Sequence, residues 1–335
     1  MVAASTPADP MMPRDDGRPV VCGPLAGVAI ASADLAASRR FYGGALDLSS
    51  QPVPLSASTR ALLAHWGVRE EPTTEVLAFT RPGFPEAIRL QVIRTSIDRP
   101  TSRPQLDCRY DGPLGIGVPV QGLARRHAIV EAYGFKANAG VTTMTFPRAD
   151  GSTYDIGETH WVAPDDVMVP GVDRAHLQPV GPIDPALDIG GPSYASALVS
   201  DVVTMGAFLD AVLGYELRRE FTFESEGPEG GMRLPKGTRV RFQQWFAPGS
   251  RTGYLVIMQL LEHGLRAPHG LGLKNRGIGL WSFPTRDLQE VLDRARHQGT
   301  NILKAPRDVD IPGVGAARSL LLATPDGFPV EVFQC

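Results

Sequence analysis

Two short runs of the sequence set a carboxylate four residues after a turn glycine. These are ADGSTYDI, with Asp155, and PDGFPVEV, with Glu331. A strand carboxylate in such a place serves as a metal ligand, as a general base, or as a structural hydrogen-bond acceptor. Beyond the first run, YDIGETHWV spaces Glu158 and His160 two residues apart, so a continuing strand projects both from one face. A Glu–His pair can work as base and orienter or as two ligands of one site, and at a surface it is ordinary solvated polarity. His269 stands in the glycine-rich run APHGLGLKNRGIG, and with Asn275 and Arg276 it forms the expected set of substrate contacts. His65, His127, His176, His263 and His297 fall on helix faces, loops or a strand end without a ligand set around them. No GxSxG elbow, P-loop or GxGxxG after a strand is present, so acyl-enzyme and dinucleotide chemistry find no support. Cys22, Cys108 and Cys335 lack CxxC spacing, which points to reduced thiols of a cytoplasmic protein rather than a disulfide frame or zinc site.

The elements that must position these groups announce themselves by repetition. SADLAASRRFYGGALDL from Ser32 returns in outline as SDVVTMGAFLDAVLGYEL from Ser200. In each copy a β-rich run ends at a small residue and an Asp, and a Phe follows that Asp by seven residues (Asp34 to Phe41, Asp201 to Phe208). Leu35, Tyr42 and Leu46 then share one helix face, as do Val202, Leu209 and Leu213, and either face can dock on a sheet. The Asp supplies an acceptor for free helix N–H groups. Strand-like runs follow at Arg60–Trp66, Thr74–Phe79 and Ala87–Ile93, giving a β-α-β-β-β unit. A second unit starts near Leu114 with a helix over Leu123–Tyr133 and ends at Ser152–Ile156. A third begins at Tyr194, and a fourth runs from Gly277 through the helix Asp287–Gln298 to Phe333. The spacing Leu123 to Gly134 recurs as Leu288 to Gly299, which ties the second unit to the fourth.

An α+β chain of four βαβββ modules follows, paired into two cupped-sheet domains. Residues 1–22 read as a disordered tail. An N-terminal domain is expected over 23–162 (modules 23–97 and 105–162), a Pro-rich linker over 163–191, and a C-terminal domain over 192–335 (modules 192–265 and 272–335). The Gly- and charge-rich ESEGPEGGMRLPKG in the third module reads as a mobile loop able to cover a pocket. Hydrophobic content of 43% and charged content of 21% suit a globular protein with a real core. A net charge of −3 without long runs of one sign argues against nucleic acid or an anionic membrane as the main partner, and no apolar run could span a bilayer.

ASADLAASRRFYGGAL, LVSDVVTMGAFLDAVLGYEL and ATPDGFPVEVF together resemble the signature of the vicinal oxygen chelate superfamily, the group of glyoxalase I, bleomycin-resistance proteins and extradiol dioxygenases. The resemblance covers nearly the whole chain outside the tail and linker, and four modules in one chain look most like the two-domain extradiol dioxygenases. It implies a cupped sheet for each module pair, with a divalent metal held by His or Glu from first and last strands. The first-strand positions it implies are Gly27, Tyr194 and, in the fourth module, Leu280 or Gly277. The last-strand positions are Gln91, Asp155, Gln259 and Glu331. The family histidines are therefore missing, and the cofactor is left as an atypical divalent site or none. Glu331, Asp155 and His160 are the candidate ligands, while Glu331, Tyr194 and Gln259 are the candidate catalytic groups of the C-terminal cup. The function implied is lyase, isomerase or dioxygenase-like chemistry on a small oxygenated organic compound, aromatic ones included. The alternative is a metal-free protein that sequesters a small molecule in the same cavity. The N-terminal pair could serve only as structural support, and the fold allows a homodimer.

Overall fold

A computed structural model describes residues 17–69, 71, 73–147, 151–174, 177–179, 181–262 and 270–335. The first module runs β1 (Gly27–Ser32), α1 (Leu35–Ser38) widening into a π-turn over Arg39–Ala45, β2 (Ser49–Val53), α2 (Ala57–His65), β3 (Val76–Thr80) and β4 (Arg89–Arg94). The second is β5 (Gly112–Pro119), α3 (Leu123–Ala132), β6 (Thr142–Pro147), β7 (Thr153–Ala163) and β8 (Val167–Asp173), followed by a small ribbon of β9 (Ile183–Asp184) and β10 (Ile189–Gly190). The third is β11 (Tyr194–Leu198), α4 (Val202–Ala211), β12 (Glu216–Glu224), β13 (Arg239–Phe246) and β14 (Tyr254–Leu260). The fourth is β15 (Gly277–Pro284), α5 (Leu288–His297), β16 (Ile302–Ile311), β17 (Gly315–Ala323) and β18 (Pro329–Gln334).

The repeated Asp does the same work three times. Asp34 accepts from the Ala37 N–H at 2.8 Å, Asp201 from those of Val203 and Thr204, and Asp287 from that of Glu290 at 3.0 Å. Each cap satisfies donors that the first helical turn leaves open, worth about 1 kcal/mol.

Two eight-stranded sheets result, as the α+β module reading expects, but the partners differ from those expected. One sheet has the order β16-β17-β18-β15-β1-β4-β3-β2 and the other β12-β13-β14-β11-β5-β8-β7-β6. The first module is thus joined to the fourth, through antiparallel β1 and β15, and the second to the third, through β11 and β5. The division into cups over 23–162 and 192–335 is corrected accordingly. Consecutive modules meet through their helices instead. Arg126 of α3 donates to the Ala45 carbonyl at 3.0 Å, and Arg294 of α5 donates to the Ala211 carbonyl at 3.2 Å. The convex faces of both sheets and these helices enclose one continuous apolar core, which includes Phe41, Trp161, Phe208 and Trp281.

Two local expectations are also corrected. The expected linker over 163–191 contains β8, the last strand of the second module, so the strand ending near Ile156 is its penultimate one. Arg60–Trp66 forms the end of helix α2 and its cap, not a strand. Ser56 caps that helix by accepting from the Thr59 N–H, and Leu62, Leu63 and Trp66 bury one face. Tertiary burial of that face outweighs the weak strand pattern of the run.

Candidate functional site

The register of the sheets fixes which residues line the centre of each cup. Gly27 and Tyr194 stand seven residues before their capping Asp, and their antiparallel partners across the module junctions are Ser282 and Gly117. On the neighbouring last strands the parallel partners are Arg89, Glu331 and Tyr254, and at the same register Pro170.

In the cup of modules one and four, Glu331 is fully buried and saturated. It accepts from Ser282 Oγ at 2.6 Å, Ser319 Oγ at 2.7 Å and Trp66 Nε1 at 2.8 Å. Burial raises its carboxyl above the ordinary value, partly offset by these three donors and by Arg89. His65 Nε2 lies 3.1 Å from Ser319 Oγ, and burial together with Arg307 and Lys304 lowers its imidazole to about 4. Helix α2 therefore fills this cup: Leu62, Leu63 and Trp66 form one cluster with Leu280, Val309, Leu321 and Phe333. Glu331 is a buried acceptor for that plug, and its expected role at an open cavity finds no space here.

The cup of modules two and three is open. It holds a cavity of about 380 Å³, of the size ordinary small-molecule sites have. Its floor is an aromatic column. Tyr194 stacks on Tyr254 at 4.8 Å between ring centroids, Tyr254 on Phe246 at 4.6 Å, and the Arg218 guanidinium caps Phe246 at 4.3 Å. The Tyr194 ring occupies the space over Gly117, where a Cβ would meet it at 1.8 Å. Burial raises both tyrosine hydroxyls well above their ordinary value. Methionines Met144, Met168, Met232 and Met258 and the rings of Phe221 and Phe242 supply apolar walls.

Polar groups enter this cavity from two sides. Glu158 and His160 project together from β7, with Oε1 and Nε2 3.6 Å apart, and burial raises the Glu158 carboxyl while the imidazole opposes that shift. From the third module come Ser196, Gln244 and Arg219. Ser196 Oγ, Gln244 Oε1 and His160 Nδ1 are buried without a hydrogen-bond partner. The loop after β12 closes over this side. Gly231 lies against the imidazole, with its carbonyl accepting from Asn138 Nδ2 at 3.1 Å.

The sequence-derived candidates thus scatter. Tyr194 and His160 meet in the open cup, beside Glu158. Glu331 lies in the filled cup. Gln259 is turned to the helix side, where its Oε1 accepts from the Val202 N–H at 3.3 Å and its Nε2 donates to the Ser200 carbonyl at 2.9 Å. Five residues separate it from Tyr254, an odd number, so it emerges from the opposite face. Asp155 is exposed and accepts from Thr145 Oγ1 at 2.7 Å. Arg276 donates to the Arg99 carbonyl at 2.7 Å and pairs with Asp165 at 3.2 Å, tying the modules together rather than facing the cavity. Asn275 is buried beside it, and His269 lies outside the described residues. Ser196, Arg219, Gln244 and Ser282 escaped the sequence reading. The alternation LRREFTF from Leu217 would have placed Arg219 on one strand face with Phe221 and Phe223.

A divalent metal does not fit either cup. Gly117, Pro170, Tyr194 and Tyr254 hold the central positions of one, and Glu331 is the lone carboxylate at those of the other, with its lone pairs already taken by three donors. Among the described residues no group of three or more His, Cys, Asp or Glu side chains is placed to hold a metal.

The comparisons with known proteins agree with this architecture. Residues 191–332 match the family model described as Glyoxalase/Bleomycin resistance protein/Dioxygenase superfamily. Glyoxalase I from Zea mays shares the fold at a TM-score of 0.58 and 14% identity, over 93% of this chain and 92% of that one. A proposed dioxygenase from Bacillus subtilis subsp. subtilis str. 168 does so at a TM-score of 0.56 and 15% identity, over 94% of this chain and 86% of that one. No curated protein matches the sequence. The family match thus spans the third and fourth modules, and the four-module, two-sheet fold is shared with these structures along nearly the whole chain.

Proposed function

We propose that the protein binds a small, planar, oxygenated organic compound in the cup of its second and third modules, and does so without a metal ion. The observation that carries this reading is the cavity of about 380 Å³, whose metal positions are taken by an aromatic column while buried polar groups face inward without partners. Rings and thioethers offer a polarisable surface to a flat ligand, and the unpartnered groups supply orientation. The other cup has no room, because α2 occupies it.

Turnover of the bound compound, as a lyase or isomerase, is a second reading. Glu158 and His160 favour it: a buried carboxyl beside an imidazole, at a cavity wall, is an acid–base pair. In that scheme Glu158 would take a proton from carbon or oxygen of the ligand, and His160 would orient the carboxylate.

Titration with 8-anilino-1-naphthalenesulfonate, a planar fluorescent probe, tests the cup. One site per chain is expected, retained in Glu331→Gln and lost in Ser196→Trp and Met258→Trp, with circular dichroism confirming folding. Binding that survives both tryptophan substitutions would remove the cavity as the site. A stoichiometric divalent metal in purified protein would overturn the metal-free part. Turnover abolished by Glu158→Gln with binding kept would favour the second reading.

A further inference from the structure

Three polar residues of the third module lie in one line across the cavity floor. Arg219 on β12 is the cross-strand partner of Gln244 on β13, Gln244 is that of Val256 on β14, and Val256 that of Ser196 on β11. Side chains at paired positions point to the same face, so guanidinium, amide and hydroxyl form a row interrupted only by Val256. Ser196 and Gln244 are more than nine-tenths buried, and each leaves a polar atom unpartnered. Leaving such groups unpaired is costly, and the cavity beside them is where a partner fits.

The charge around the row has a sign. The Arg219 guanidinium lies over Phe221 at 4.6 Å and reaches across the cup to the Tyr154 ring at 5.3 Å, and Arg174 approaches the same ring at 5.9 Å. Two cations thus stand at one end of the cavity. The acidic side chains facing it are Glu158 in the interior and Glu224 and Glu226 at the exposed rim. His160, Tyr194 and Tyr254 complete the titratable groups around Glu158. Burial favours the neutral form of Glu158, and a neutral carboxyl donates a hydrogen bond to an anion instead of repelling it.

Resting on the reading of this cup as the binding site, we propose that its ligand is an aromatic carboxylate, with the ring among Phe221, Phe242 and Tyr254 and the carboxylate along the Ser196–Gln244–Arg219 row. A carboxylate presents acceptors in one plane, which suits an in-line set of guanidinium, amide and hydroxyl donors. The amide of Gln244 reaches this arrangement by turning its Nε2 to the cavity.

Calorimetric titration of the full chain with 1-naphthoate, 1-naphthol and 1-naphthylmethylamine tests the assignment. Naphthoate should bind at least about tenfold more tightly than naphthol, and the amine most weakly. Gln244→Met and Arg219→Met should each weaken naphthoate by about tenfold while changing naphthol by less than about threefold, and the retained naphthol affinity reports that the variants fold. Naphthoate affinity should fall as pH rises above the ordinary carboxylate range in the native chain, and less so in Glu158→Gln. Tighter binding of the amine, or equal binding of all three probes unaffected by both variants, overturns the ligand class and leaves the cup as the site. Failure of all three probes to bind counts against the cup itself, and the ligand class falls with it.

Discussion

Glu331 shows how a side chain in a suggestive position is spent on structure. Its three donors come from three elements, Ser282 on β15, Ser319 on β17 and Trp66 at the end of α2, so it pins the plug into the cup. Its raised carboxyl means that the folded state holds the proton more tightly than the unfolded state does. Its stabilising contribution is therefore full at low pH and is lost as pH rises from about 4.5 through the folded value. Glu331→Gln removes that dependence, so the melting temperature of the variant relative to the native chain should climb as pH is raised over the range above about 4.5. A constant difference across that range would contradict the assignment. His65 acts with the opposite sign. Its imidazole titrates near 4 in the fold against an ordinary 6.5, so stability falls as pH drops through that interval. In His65→Gln the acid limb of the stability curve should be shallower. Melting curves between pH 6.5 and pH 4 check this.

At the scale of elements, α2 and the loop after β12 divide the labour between the cups. Trp66 is 6% exposed and packs among Leu62, Leu63 and the strands of the fourth module. Trp66→Ala opens a cavity and strands the Glu331 acceptor, costing about 3–5 kcal/mol in denaturant unfolding, with probe affinity at the other cup unchanged. The loop offers the complementary case. A Cβ on Gly231 would meet His160 Nδ1 at 1.8 Å, closer than atoms can stand, so the loop or the imidazole must shift. Gly231→Ala is expected to change ligand affinity about tenfold or more while leaving the melting temperature within a few degrees, since the loop contributes few residues to the apolar core. Equal affinities in calorimetry would show that the loop does not close the site.

For the whole molecule, the pairing of modules decides what can stand alone. Because β1 pairs with β15 and β5 with β11, cutting the chain between its halves leaves four first strands with bare edges. Residues 192–335, although they carry the family match, should therefore aggregate or associate when expressed alone. Size-exclusion chromatography and circular dichroism check this, and a stable monomer with native strand content would contradict it. With one cup open and the other filled, titration with a cavity ligand is expected to give a single site per chain.

Much of the molecule was legible in the residues. The capping Asp residues, the helix faces of Leu35, Tyr42 and Leu46 and of Val202, Leu209 and Leu213, and the PDG turn before Glu331 each depend on contacts within a few positions of chain. Such contacts leave a period that can be read, and from them came the four modules, the resemblance to a superfamily and the adjacency of Glu158 and His160. Which modules share a sheet was not legible, because all four first strands offer similar short apolar edges, and the partners are told apart only by contacts distant in sequence, such as those of α3 with the π-turn after α1 and of α5 with α4. The placement of Glu331, Gln259 and Tyr194 followed from that choice. One sits beneath α2, one faces a helix, and only Tyr194 looks into open space, because strand register and long-range burial, rather than residue type, decide which face of a strand meets a ligand.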